Sequence, residues 1–197
     1  MNLTLTDTQT DVIEISNEQV VNFIAPCVLF ESSVSIEDST IKTLSIYASY
    51  FLQGLTLKNC IIESKVNWRS GGHNQEPVKF LNCKFSDFVD FEDCWFISDL
   101  VIRDCSFDKG TNLLGNKETP VAVTFEGNVD IENTSGSLAI NSYIERTGQG
   151  RLEEATSHQE ERYLEELANL QSKEDTDANK AVILALKQRL KKLQNTS

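Results

Sequence analysis

The sequence predicts a mainly β chain: a parallel β-helix of about six coils, each of about 22 residues, with a C-terminal two-helix tail. Three observations carry that prediction. Ile15, Ile36, Leu57, Phe80, Ile102 and Phe125 recur at intervals of 21, 21, 23, 22 and 23 residues. Phe23, Ile46, Trp68, Phe91 and Leu114 form a second series at 23, 22, 23 and 23. After Gly150 the apolar period changes from about 2 to about 3.6 residues. A fixed period of 20 to 50 residues marks a solenoid, in which each repeat buries its apolar face against its neighbours.

The coil units are apolar-x-apolar strings followed by Asn or Asp, as in Leu55-Thr-Leu-Lys-Asn and Val78-Lys-Phe-Leu-Asn. That is strand followed by turn. Large apolar residues fall into four rows per coil. The first row is the Ile15 series. The second contains Ile41, Ile62, Phe85, Phe107 and Ile131, and the third is the Phe23 series extended to Ile140. The fourth reads Phe30, Phe51, His73, Phe96 and Thr119. Four inward rows predict four walls of short parallel strands rather than three. Six coils at the inter-strand spacing would stack to roughly 25–30 Å.

Corner chemistry agrees with this reading. Asn17, Asp38, Asn59, Asn82, Asp104 and Gly127 follow the first row by two positions. These residue types tolerate left-handed backbone and turn by bonding their own main chain. Small residues come next: Ser39, Cys60, Cys83, Cys105 and Asn128.

The run Cys83-Lys-Phe85, Val89-Asp-Phe91, Cys94-Trp-Phe96, Leu100-Val-Ile102, Cys105-Ser-Phe107 places a small or aliphatic residue two positions before a large apolar one, five times over. Here the chain resembles the pentapeptide-repeat proteins. The resemblance implies a right-handed, four-sided β-helix. It departs from that family in lacking Ala-Asp-Leu or Ala-Asn-Leu units and in a mean spacing of about 5.5 residues. A three-sided β-helix like that of the pectate-lyase group, with coils of similar length, is the alternative left open.

Two stretches rich in Gly, Pro and Asn interrupt the rows: 69–77 and 108–120. They predict loops that replace wall segments and bulge outward without long insertion. Loops on a rigid scaffold are where binding residues gather. Arg69, His73 and Asn74 in the first loop are therefore candidate interaction residues. Asp90 and Glu92, predicted to project into solvent from one strand, are two more.

The β-helix is assigned to 1–148 and the tail to 149–197. Ser157-x-x-Glu160 is a capping-box pattern followed by Tyr163, Leu164, Leu167 and Leu170 at helical spacing. A second helix is predicted from about Ala178 to Gln194, with a stripe of Ile183, Leu186, Leu190 and Leu193. The first helix is net acidic and the second net basic. The pair could form a hairpin, cap an open end of the solenoid, or dimerise. The stripe supplies the remaining candidate interaction residues, with a homodimer through these helices as one expectation.

Composition limits the function classes. The net charge is −12, and residues 1–150 hold 10 Lys/Arg against 21 Asp/Glu. That imbalance argues against direct nucleic-acid binding, which needs clustered cations. The opening residues lack a basic, apolar secretory signal, and no run is long enough to span a membrane. With five cysteines, four of them inside the repeat, a cytoplasmic location with unbridged thiols is expected.

Catalytic and metal patterns are missing. Cys60, Cys83 and Cys105 are 23 and 22 residues apart, which stacks them on one wall; zinc needs ligands that converge tetrahedrally. No phosphate loop, nucleophile elbow or metalloprotease motif occurs. The expectation is a non-enzyme without cofactor or metal. It would be a scaffold or adaptor presenting a rigid acidic rod to a protein partner. Two alternatives are weighed beside it. Some pentapeptide-repeat proteins imitate DNA and occupy the DNA-binding surface of a topoisomerase, so the resemblance implies that role. Paired carboxylates on a β-helix suggest a carbohydrate-binding or carbohydrate-active protein.

Overall fold

The computed structural model describes residues 1–143 and, beyond them, Leu164, Leu167, Ala168, Lys180, Ile183, Leu184, Leu186, Lys187, Leu190 and Lys191. Residues Met1–Ser142 form one compact unit and Tyr143–Ser197 another. The first is a parallel β-solenoid of about five turns with four strand rows. It is consistent with the pentapeptide-repeat-like, right-handed β-helix that the resemblance implies.

The first wall contains Ile13–Ser16, Val34–Glu37, Leu55–Lys58, Val78–Leu81, Leu100–Arg103 and Val129–Glu132. All pair in parallel, with Ile15, Ile36, Leu57, Phe80, Ile102 and Ile131 in register. The second wall aligns Val20, Ile41, Ile62, Phe85 and Phe107. Strands Gln19–Ile24 and Thr40–Ser45 run on into the third wall. Val20 and Phe23 are both buried although three residues apart, so the alternation breaks and the chain turns a corner between them.

The third wall carries two buried rows. One aligns Leu3, Phe23, Leu44, Val66 and Val89. The next aligns Ala25, Ile46, Trp68, Phe91 and Leu113, two positions further on. The fourth wall aligns Phe30, Phe51, Phe96 and Phe125, with Gly72 bridging Tyr50 and Trp95 between them. Counting inward residues around the first two coils gives steps of 5, 5, 5 and 6. The pentad step is therefore present, and it becomes visible once Ala25 rather than Phe23 opens the third row.

Three expectations about register are corrected. Phe125 lies over Phe96 on the fourth wall, and Ile131 takes the first-wall place assigned to Phe125. Leu113, not Leu114, continues the third wall. The Phe125 and Ile131 shifts follow from a true insertion, since 12 residues separate Leu113 from Phe125 where Phe91 and Phe96 are separated by five. Leu113 precedes it and lies one 22-residue coil beyond Phe91. The stretch 69–77 is also not an outward loop at its start, since Ser70 to Asn74 are buried and Gly72 pairs on both sides.

The expected C-terminal two-helix tail is corrected as well. Among the described residues every delimited element is a strand and no helix is delimited. Leu186 and Leu190 have helical backbone but bound no element. The capping box and Leu193 lie outside the described residues. A helical period specifies a helix weakly, because a segment of that length is marginal in water without tertiary support.

Corners form as the turn residues predict. Asn17, Asp38, Asn59, Asn82, Asp104 and Asn133 all have φ between 48° and 58°. Asn133 stands where Gly127 was expected, a consequence of the same insertion. The side chains stack: Asn59 Nδ2 donates to Asp38 Oδ1 at 2.8 Å, and Asn82 Nδ2 to Asn59 Oδ1 at 3.0 Å. Left-handed backbone costs a non-glycine residue about 1–2 kcal/mol, less for Asn. Asn59→Val should therefore lose about 2–3 kcal/mol with its ladder bonds, and Asn59→Gly clearly less. Urea denaturation of both variants checks the order, and equal losses would contradict it.

Candidate functional site: the outer face of the third and fourth walls

Residues flanking the buried third-wall rows point outward and stack between rungs. Because Asn67 pairs with Asp90 in register, Arg69 and Glu92, two positions on, are neighbours too. The Arg69 guanidinium donates to Glu92 Oε1 at 2.6 Å. Lys65 Nζ lies 3.4 Å from Asp90 Oδ2. Asn112 reaches Asp90 Oδ1 with its amide nitrogen at 2.8 Å and donates equally to Ser142 Oγ. Its own oxygen accepts the Phe91 N–H at 2.7 Å.

Asp90 and Glu92 are 1% and 4% exposed, so the expectation of solvated carboxylates is corrected. Burying a carboxylate is tolerable when cations and donors surround it, and adjacent rungs supply them here.

His73 lies in the fourth-wall register between Phe51 and Phe96, yet its φ of 52° turns the ring away from the interior. The imidazole packs on Tyr50 at 4.2 Å and Trp95 at 5.6 Å, both outward neighbours of inward Phe residues. Asn74 is buried and donates to Glu76 O at 2.8 Å, closing the turn toward Pro77. Of the other candidates, Leu186 and Leu190 are buried and Ile183 is half-buried.

The structure thus unites Arg69 with Glu92 and sets His73 between two aromatic rings. Lys65, Asn112, Ser142, Tyr50 and Trp95 belong to this face and were missed from sequence. Asn112 was findable, since it follows Asp90 by one period of 22 residues.

Asp90 is engaged by Lys65 and Asn112 and Glu92 by Arg69, each from a neighbouring rung. Among the described residues, no group of three or more His, Cys, Asp or Glu could hold a metal ion. Comparison with protein-family models, curated proteins and solved structures found no match to the chain.

A second feature lies at the corner between the first and second walls. A shallow groove of about 490 Å³ is lined by Asn59, Asn82, Asp104, Asn133, Lys84 and Ser106, with Cys60, Cys83 and Cys105 at its base.

Proposed function

We propose that the chain is a non-enzymatic interaction scaffold or adaptor, whose rigid solenoid presents a patterned surface to a protein partner. The observation that carries this reading is how charge is distributed. Lys58 pairs with Glu37, Lys65 with Asp90, Arg69 with Glu92, Lys84 with Asp108, Lys109 with Asp87, and Arg103 with Asp130 and Glu132.

Every pair joins neighbouring rungs, so cations interrupt the acids along the walls. A surface imitating DNA would need regular, uninterrupted negative charge to match a groove tuned to phosphates. Interleaved charge suits a specific protein surface better, because it sets register and rejects wrong partners.

A photo-crosslinking residue at Thr56 on the first wall and at Ile61 on the second tests the proposal. A saturable complex with one protein, reproduced from purified components, is the expected result. Salt-sensitive inhibition of DNA gyrase by the full chain would replace the scaffold with mimicry. Turnover on a polysaccharide panel would overturn the non-enzymatic reading.

A cytoplasmic location and the lack of direct nucleic-acid or membrane binding belong to the same proposal, as does self-association through 149–197. Leu186 and Leu190 are buried within a single chain, which leaves Leu164 and Leu184, 49% and 59% exposed, for a second copy to cover. Light scattering should give a dimer for the full chain and a monomer for Leu184→Glu. A monomeric full chain would end that part.

A further inference from the structure

Cys60, Cys83 and Cys105 occupy equivalent positions on three consecutive rungs. Leu81 is in register with Lys58 above and Arg103 below, and each cysteine follows its partner by two residues. The ladder continues past them, with the Lys84 N–H donating to Cys60 O and the Ser106 N–H to Cys83 O, both at 2.9 Å.

Each thiol lies between rungs. Cys60 Sγ is 3.3 Å from Ile36 O, Cys83 Sγ 3.3 Å from Leu57 O, and Cys105 Sγ 3.4 Å from Phe80 O. All three residues are buried, yet all three line the base of the corner groove. Rungs of a parallel sheet are about 4.8 Å apart, within the ~4.4–6.8 Å between Cα atoms that a disulfide spans. Two rungs, about 9.6 Å, exceed that reach.

We propose that this ladder is a peroxide-oxidisable site, in which Cys83 closes a rung-to-rung disulfide with Cys60 or Cys105. The central thiol is the shared partner. Its hydrogen bond draws Cys60 down to about 7 and lowers Cys105, while bonding to both neighbours, Cys105 most, pushes Cys83 well up.

A flanking thiolate is therefore the nucleophile and Cys83 the resolving thiol. The thiolate sulfur attacks hydrogen peroxide, the O–O bond breaks, and a sulfenic acid forms while the departing hydroxide takes up the proton the thiol gave up and leaves as water. The Cys83 sulfur then attacks the sulfenic sulfur, the S–O bond breaks, and the departing hydroxide takes the Cys83 thiol proton and leaves as a second water. Two thiols are oxidised by two electrons, and hydrogen peroxide is reduced to two waters. The remaining ladder thiol stays reduced, since its only rung neighbours are taken or too distant.

Trypsin separates the three cysteines, because Lys58, Lys65, Lys79, Lys84, Arg103 and Lys109 bracket them. Full-length protein treated with hydrogen peroxide, then digested without reductant, should yield Phe80–Lys84 linked to Asn59–Lys65 or to Asp104–Lys109. Dithiothreitol should reverse the linkage.

Cys83→Ser should abolish every linkage within the ladder. Ser39 already stands at this position one rung beyond Cys60, so serine fits the site. Cys60→Ser should leave the Cys83–Cys105 product, which separates loss of chemistry from loss of fold. If Cys60, Cys83 and Cys105 all stay reduced at a peroxide dose that oxidises exposed Cys27, the proposal fails. It fails equally if Cys83→Ser still links Cys60 to Cys105.

Discussion

Phe91→Asp should abolish cooperative folding of the central coils. Phe91 is fully buried, with ring centroids 5.7 Å from Trp68, 6.1 Å from Phe96 and 6.3 Å from Phe80. Removing the ring forfeits about 1.5–3 kcal/mol of burial. An unpaired carboxylate in that space costs several kcal/mol more, or must take up a proton to remain. Domains of this kind hold only about 5–15 kcal/mol in total, so the loss consumes most of it. Urea unfolding followed by fluorescence of the two tryptophans measures the effect. A soluble Phe91→Asp protein with an unchanged midpoint would contradict this packing.

Trp68→Ala is the second large effect, expected at about 3–5 kcal/mol for an aromatic removed from a packed interior. Along the fourth wall, Phe30 stacks on Phe51 at 4.5 Å and Phe96 on Phe125 at 5.8 Å. The rung between these pairs has no inward ring of its own, because His73 faces out. The Trp68 indole enters from the third wall instead, edge-on to Phe51 at 5.5 Å and to Phe96 at 5.7 Å.

Gly71 makes this possible. A Cβ there would sit 2.3 Å from Trp68 Nε1 and 2.8 Å from Ser49 O. Trp68→Phe should cost less than Trp68→Ala, since a smaller ring still bridges part of the gap. Gly71→Ala should destabilise the native protein more than the Trp68→Phe variant, because the smaller ring relieves one of its two clashes. Equal costs in both backgrounds would show that the indole does not press on Gly71.

The apolar rows and their turns were legible in the sequence because each wall faces a closed interior. Every coil must then place an aliphatic or aromatic residue at the same few positions, and Asn or Asp at the tight corner. The thiol stack was legible for the same reason, its spacing being the coil length itself.

Periodicity could not settle register across the insertion. Phe125 follows Ile102 by 23 residues, which fits the repeat, yet it pairs with Phe96. Row spacing put His73 in the fourth wall, where Gly72 is indeed bonded between two strands, but spacing could not show that a φ of 52° turns its ring outward. The burial of Asp90 and Glu92 was invisible because their partners, Lys65, Arg69 and Asn112, lie one coil away. Local sequence reports which residues a coil must bury. Only tertiary pairing decides which residue of the next coil each one meets, and that choice sets whether a carboxylate is solvated or held by a cation, and whether two thiols can join.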